Sequence, residues 1–187
     1  MPNWCDNTLK ITGKEAELKR FMAFGKSDTC VLDMNAFIPY PPEYKEKDKA
    51  SNDWMDKADA FAKKHGCDQW WCGDKLTDEL RTEFIATNGE QPKDGYNQGG
   101  YEWCIKHWGT KWSFVDTELQ EDITRPKNKS ITYNANTAWA PPLPLIIKMS
   151  ELFPTLTFRI KYQEQGMGFS GSMKCKNGMI LAEKHRG

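Results

Sequence analysis

From Tyr101 to Ser113 the chain reads YEWCIKHWGTKWS, which places Cys104 three residues before His107 among Trp103, Trp108 and Trp112. On a helix that spacing sets a thiol and an imidazole one turn apart, as a cysteine nucleophile and its base require. No Asp or Asn is placed to orient the histidine, and no glycine-rich turn beside the cysteine offers an oxyanion hole. Chance proximity is the better reading. No enzyme is expected, and a cysteine-dependent hydrolase on Cys104 and His107 is the weakest alternative. The same residues raise zinc, because His65, Cys67 and Cys72 lie upstream and the pairs 67/72 and 104/107 could supply four ligands. Their spacing lacks the Cys-x2-Cys knuckle, so no metal or cofactor is expected. GMGFSG at 166–171 lacks the phosphate-loop pattern and joins strands, which makes it a bend at a sheet edge.

Binding chemistry is easier to place. Trp54, Trp70 and Trp71 stand among polar residues that include Asp68, Asp74 and Lys75. Adjacent side chains on a regular element cannot both face one way, so either Trp70 or Trp71 is expected to face outward as an interface anchor with a polar rim. A second surface is the outward side of the strands, where Lys10, Asn134, Arg159 and Lys161 could hold a small ligand, a nucleotide or a nucleic acid. Trp4, Trp112 and Trp139 are expected to be mostly buried, because large rings are usually core.

Composition bounds both readings. The 187 residues carry 26 Lys and Arg against 26 Asp and Glu, so net charge is zero. No basic excess supplies the phosphate-neutralising contribution to nucleic-acid binding, and the outward positions of the 155–162 strand show no aromatics for stacking. Both observations argue against a nucleic-acid partner. A mean hydropathy of -0.75 and the lack of an apolar run of about 20 residues exclude a transmembrane helix. The opening MPNWCDNTLKITG has neither the basic nor the apolar region of a secretory signal. The six cysteines are therefore expected to be reduced thiols of a cytoplasmic monomer or weak dimer.

Several segments alternate with period two. Around 4–12, Leu9 and Ile11 point inward and Asp6, Thr8 and Lys10 outward. Ser130 to Thr137 sets Ile131, Tyr133 and Ala135 on one face, and in TLTFRIKY Leu156, Phe158, Ile160 and Tyr162 share the inner face. A strand is expected over Trp112–Leu119, and Val31–Ile38 reads as a strand or an extended segment. Helical periodicity marks Lys14–Gly25 and the APPLPLIIKMSELFP segment, whose stripe is read as Leu143, Ile146, Ile147 and Phe153. Tyr101, Cys104, Ile105 and Trp108 form a further stripe. Residues 45–100 are polar and read as a helical insertion, with Asp53 capping one helix. Asn177-Gly178 marks a type I′ hairpin turn. The order predicts an α+β fold, a ferredoxin-like βαββαβ sandwich with an antiparallel sheet, a helical insertion and a C-terminal hairpin, in one domain of 1–187.

MPNWCDNTLKITG, YEWCIKHWGTKW, TAWAPPLPLI and FPTLTFRIKYQEQGMGFSG together resemble the Api92-like/YubB family, ferredoxin-like proteins of unknown function from phages, plasmids and mobile islands. The resemblance implies the same fold and an accessory protein of a mobile element. It brings no catalytic residues. The expected function is non-enzymatic binding of a host protein, including an anti-defence role such as anti-CRISPR.

Overall fold

The computed structural model describes residues 3–72, 75–122 and 129–187. The chain forms two compact units, residues 1–39 with 102–187, and residues 40–101. Among the described residues no helix is long and apolar enough to cross a membrane.

The first unit is built on strict alternation. In β1 (Trp4–Thr12) Cys5, Asn7, Leu9 and Ile11 are buried, while Trp4, Asp6, Thr8 and Lys10 are exposed. α1 (Glu15–Gly25) lays Leu18 and Phe21 on that inner face. After a short α2 (Met34–Phe37) come β2 (Val115–Asp122), β3 (Ser130–Ala138), α6 (Leu143–Leu152), β4 (Thr157–Glu164), β5 (Phe169–Lys176) and β6 (Met179–Arg186). The sheet order is β2-β3-β1-β4-β5-β6, and every pairing is antiparallel. β2-β3-β1-β4 is the expected ferredoxin-like sheet, and the C-terminal hairpin extends it past β4. Asn177 and Gly178 both have positive φ, as a type I′ turn requires.

Phe21 holds the layers together, with ring centroids 5.3 Å from Phe37, 5.1 Å from Phe153 and 5.6 Å from Phe158. Burial of such rings is the main stabilising contribution of the unit. α6 is rotated from the expected stripe: Leu145, Ile146 and Met149 are buried, whereas Leu143 and Ile147 are only partly so. The helix starts at Leu143, and its inward positions are 145, 146 and 149. Residues 31–38 are not extended either, because the Asp33 carboxylate accepts the Asn35 N–H at 2.8 Å and starts α2.

The second unit contains α3 (Pro42–Lys64), α4 (Asp78–Asn88) and the start of α5 (Gly100–His107). α3 begins earlier than the sequence suggests. Pro42 occupies its first position, where a missing N–H costs nothing, so the PYPPEY stretch opens the helix. Asp53 is consequently mid-helix and pairs with Lys49 at 2.6 Å rather than capping. Thr77 caps α4 by accepting from the Leu80 N–H. Trp54, Ala58, Ala62, Cys67, Trp70, Leu76 and Phe84 make a separate core. Within it Cys67 and Cys72 form a disulfide, which corrects the expectation of six reduced thiols. Cys5, Cys30, Cys104 and Cys175 are free.

The tryptophan expectation also fails. Trp4, Trp112 and Trp139 are 37%, 36% and 41% exposed. Trp4 shares the parity of Asp6, Thr8 and Lys10 and so stands on the open side of the sheet. Trp112 precedes β2, which begins only at Val115, so no sheet register turns it inward. In the α5 region Cys104 and Trp108 are buried, but Tyr101 and Ile105 are exposed, which narrows the expected stripe.

Candidate binding face

Within the first unit, α1, α2 and α6 cover one face of the sheet. The other face is set by register. Lys10 of β1 pairs with Arg159 of β4, which pairs with Lys174 of β5. One step along the strands, Thr8 pairs with Lys161, Lys161 with Ser172, and Ser172 with Lys184 of β6. One step further, Asp6, Gln163, Ser170 and Arg186 form a row. Neighbouring strands lie about 4.8 Å apart and steps of two residues are about 7 Å. Lys10, Arg159, Lys161, Lys174, Lys184 and Arg186 thus share a compact panel with one carboxylate, Asp6. Among the described residues none of these cations is ion-paired; the ion pairs lie elsewhere. Directly opposed like charges destabilise a sheet, and here Lys10, Arg159 and Lys174 stand in one line.

A shallow groove of about 560 Å³ runs over this panel, lined by Lys161, Gln163, Ser170, Ser172, Lys184 and Arg186 among others. Ser170 and Ser172 are partly buried and offer hydroxyls between the cations. The opposite edge of the open face is acidic: Glu118 is exposed on β2, and Asp116 accepts a hydrogen bond from Asn136 at 3.4 Å. Net zero charge therefore conceals a separation of charge across one face.

Of the residues anticipated for this face, Lys10, Arg159 and Lys161 lie in the panel. Asn134 is on β3 beside it, where its side chain accepts from the Thr8 hydroxyl at 3.1 Å. Sequence reasoning missed Lys174, Lys184 and Arg186. Their alternation was visible, but the bulge between Lys174 and Cys175 makes their common face legible only from register.

The anticipated anchors of the second unit separate. Trp54 and Trp70 are buried, with ring centroids 5.5 Å apart. The Trp54 indole donates to the Gly89 carbonyl at 2.9 Å, and Asp59 accepts the Trp70 N–H at 2.6 Å. Trp71 is 64% exposed, with Asp68 and Lys75 also at the surface. Asp74 lies outside the described residues.

The thiols and imidazoles do other work. The disulfide takes Cys67 and Cys72. His65 packs on Phe61 with centroids 4.6 Å apart, and His107 stacks on Trp103 at 4.7 Å. Cys104 is 2% exposed, out of reach of a substrate. Burial pushes the Cys5 thiol up to about 11 and raises that of Cys175, which disfavours the thiolate a nucleophile needs. The WGTKW string has mixed roles. The Trp108 indole donates to the Ile38 carbonyl at 2.9 Å, and the buried Thr110 hydroxyl donates to the Ala138 carbonyl at 2.9 Å. Gly109 has φ 86°, and a Cβ there would lie 2.6 Å from Pro144, which ties this string to the prolines of TAWAPPLPLI. Trp112 is then exposed, and Lys111 beside it is partly buried.

Residues 108–186 match the family model of the ferredoxin-like domain in Api92-like protein. No curated protein matches the chain. The fold is similar to the crystal structure of protein api92 from Yersinia pseudotuberculosis, with a TM-score of 0.54 and 13% identity, covering 100% of this chain and 99% of that one. At that identity the likeness is one of fold.

Proposed function

We propose a binding function, without catalysis, for this chain, whose residues 108–186 are similar to the ferredoxin-like domain of Api92-like protein. The working surface in this reading is the open face of the sheet, and its partner is a host macromolecule that presents several negative charges. The observation that carries it is the panel of six cations held side by side without ion-pair partners among the described residues. A fold tolerates such repulsion at a cost, and a polyanion relieves it. The buried Cys104 and the raised Cys5 and Cys175 thiols support a non-enzymatic role. A mobile-element accessory protein would use such a face to occupy a host component, including one of a defence system.

The test is binding of a generic polyanion, inorganic polyphosphate, to the full chain. Affinity should fall steeply with added salt, as multi-charge contacts do. It should be lost in the double variant Lys161→Glu, Lys184→Glu with melting unchanged. Absence of binding at low salt contradicts the proposal. A second reading, a protein partner anchored on Trp71, rests on the 64% exposure of that ring. Loss of host-partner capture in Trp71→Ala, with polyphosphate binding intact, would favour it.

A further inference from the structure

We infer that the polyanion is a single-stranded nucleic acid, whose backbone lies on the cationic panel and whose bases stack on tryptophans at its end. This inference rests on the open-face reading above and adds the partner's chemistry. Trp4 lies two residues along β1 from Asp6, which lines the groove, and shares its side of the sheet, and its indole is 37% exposed. Trp4 pairs with Ala138, and the next residue, Trp139, donates its N–H to the Asn3 carbonyl at 3.0 Å. Two partly exposed tryptophans, Trp4 and Trp139, therefore stand at one end of the β1–β3 pair. Trp139 is held at φ 69°, a conformation that bulky residues avoid. Strain of this kind collects where function demands a particular side-chain placement. The Lys111 ammonium lies 5.5 Å from the Trp112 ring centroid and 5.7 Å from that of Trp139, so a cation sits at both rings.

Charge and ring divide along the surface. The panel rows hold cations, hydroxyls, an amide and one carboxylate, Asp6, but no aromatic, while Trp4 stands one step beyond Asp6 on the same side of the sheet. A single strand needs that combination: a basic track for the phosphates and π-faces for unpaired bases. A duplex hides its base faces and would engage only the cations. An acidic peptide would likewise use the cations and gain little from ring stacking. The step between cation rows, about 7 Å, also places successive cations within reach of successive backbone phosphates.

The experiment measures fluorescence anisotropy of the full chain with labelled oligo-dT, oligo-rU, a duplex of equal length, and poly-glutamate. The single strands are expected to bind tightest. Trp4→Leu should weaken single-strand binding about five- to a hundredfold, the range for losing one stacked base. Trp4→Phe should restore it, because a phenyl ring still stacks. Melting curves of both variants confirm that each is folded, and Trp112→Leu supplies a second variant should Trp4→Leu unfold. The ratio of dT to rU affinity identifies the natural source of the strand. Equal affinity for duplex, or unchanged binding in both leucine variants, overturns the inference while leaving the open-face proposal standing. Tighter binding of poly-glutamate also overturns it and points to an acidic protein. Failure of every ligand overturns both.

Discussion

Among the tryptophans burial separates scaffold from surface. Trp108 is 4% exposed and its indole is hydrogen-bonded, whereas Trp112 is 36% exposed. Trp108→Ala is expected to cost about 3–5 kcal/mol, the range for deleting a buried ring. Trp112→Ala should cost about 1 kcal/mol or less, as surface changes do. Urea denaturation of the two variants checks the ordering. Glu15 gives a pH signature. Lys129 and Lys19 hydrogen-bond its carboxylate and hold its pKa down at about 2, against an ordinary 4.5. A depressed carboxylate contributes stability that is present above the ordinary value and is lost as pH falls from about 4.5 towards 2. Glu15→Gln should therefore flatten this part of the acid limb and lower stability at neutral pH. A variant that retains the full acid dependence contradicts the assignment. None of these roles was legible from residue type, since eight tryptophans look alike until register sorts them.

At the scale of elements, period-two alternation made β1, β3 and β4 legible, because each has one face in the core and a slip of one residue would invert it. α3 was misread at its proline-rich entry, where local chemistry sets the helix start and hydrophobic spacing does not, and α6 was placed correctly but its buried stripe was misassigned. The hairpin β5–β6 was legible as a hairpin, but not as half of the cationic panel. Its placement depends on Gly171. A Cβ there would lie 2.3 Å from the Tyr162 hydroxyl and 2.6 Å from the Lys184 carbonyl. The open position lets Tyr162 reach the His185 ring, 3.3 Å away, across β5. Gly171→Ala should push β6 aside, lower stability by about 1–3 kcal/mol, and weaken polyphosphate binding, because Lys184 and Arg186 ride on that strand. Unchanged binding with a lowered melting temperature would mean that β6 does not contribute.

For the whole molecule, the two units have separate cores, and the disulfide lies in only one of them. Multi-unit chains depart from two-state unfolding. Calorimetry should show two transitions, and reductant should lower one while leaving the other in place. The chain-entropy gain from so short a loop is about 2 kcal/mol. Coincident transitions that move together would contradict this independence. Charge is the other property visible only at this scale. A count of 26 against 26 argued against a nucleic-acid partner, yet the same charges, sorted by register, leave one half of a sheet face basic and the opposite edge acidic.

The central claim is that the open sheet face is the working surface. Backbone-amide chemical-shift mapping of the full chain during titration with inorganic polyphosphate tests it most directly. The account expects the shifts to concentrate in 6–10, 159–163, 170–174 and 182–186. Shifts confined to 65–77 around Trp71, with the sheet unmoved, would contradict it.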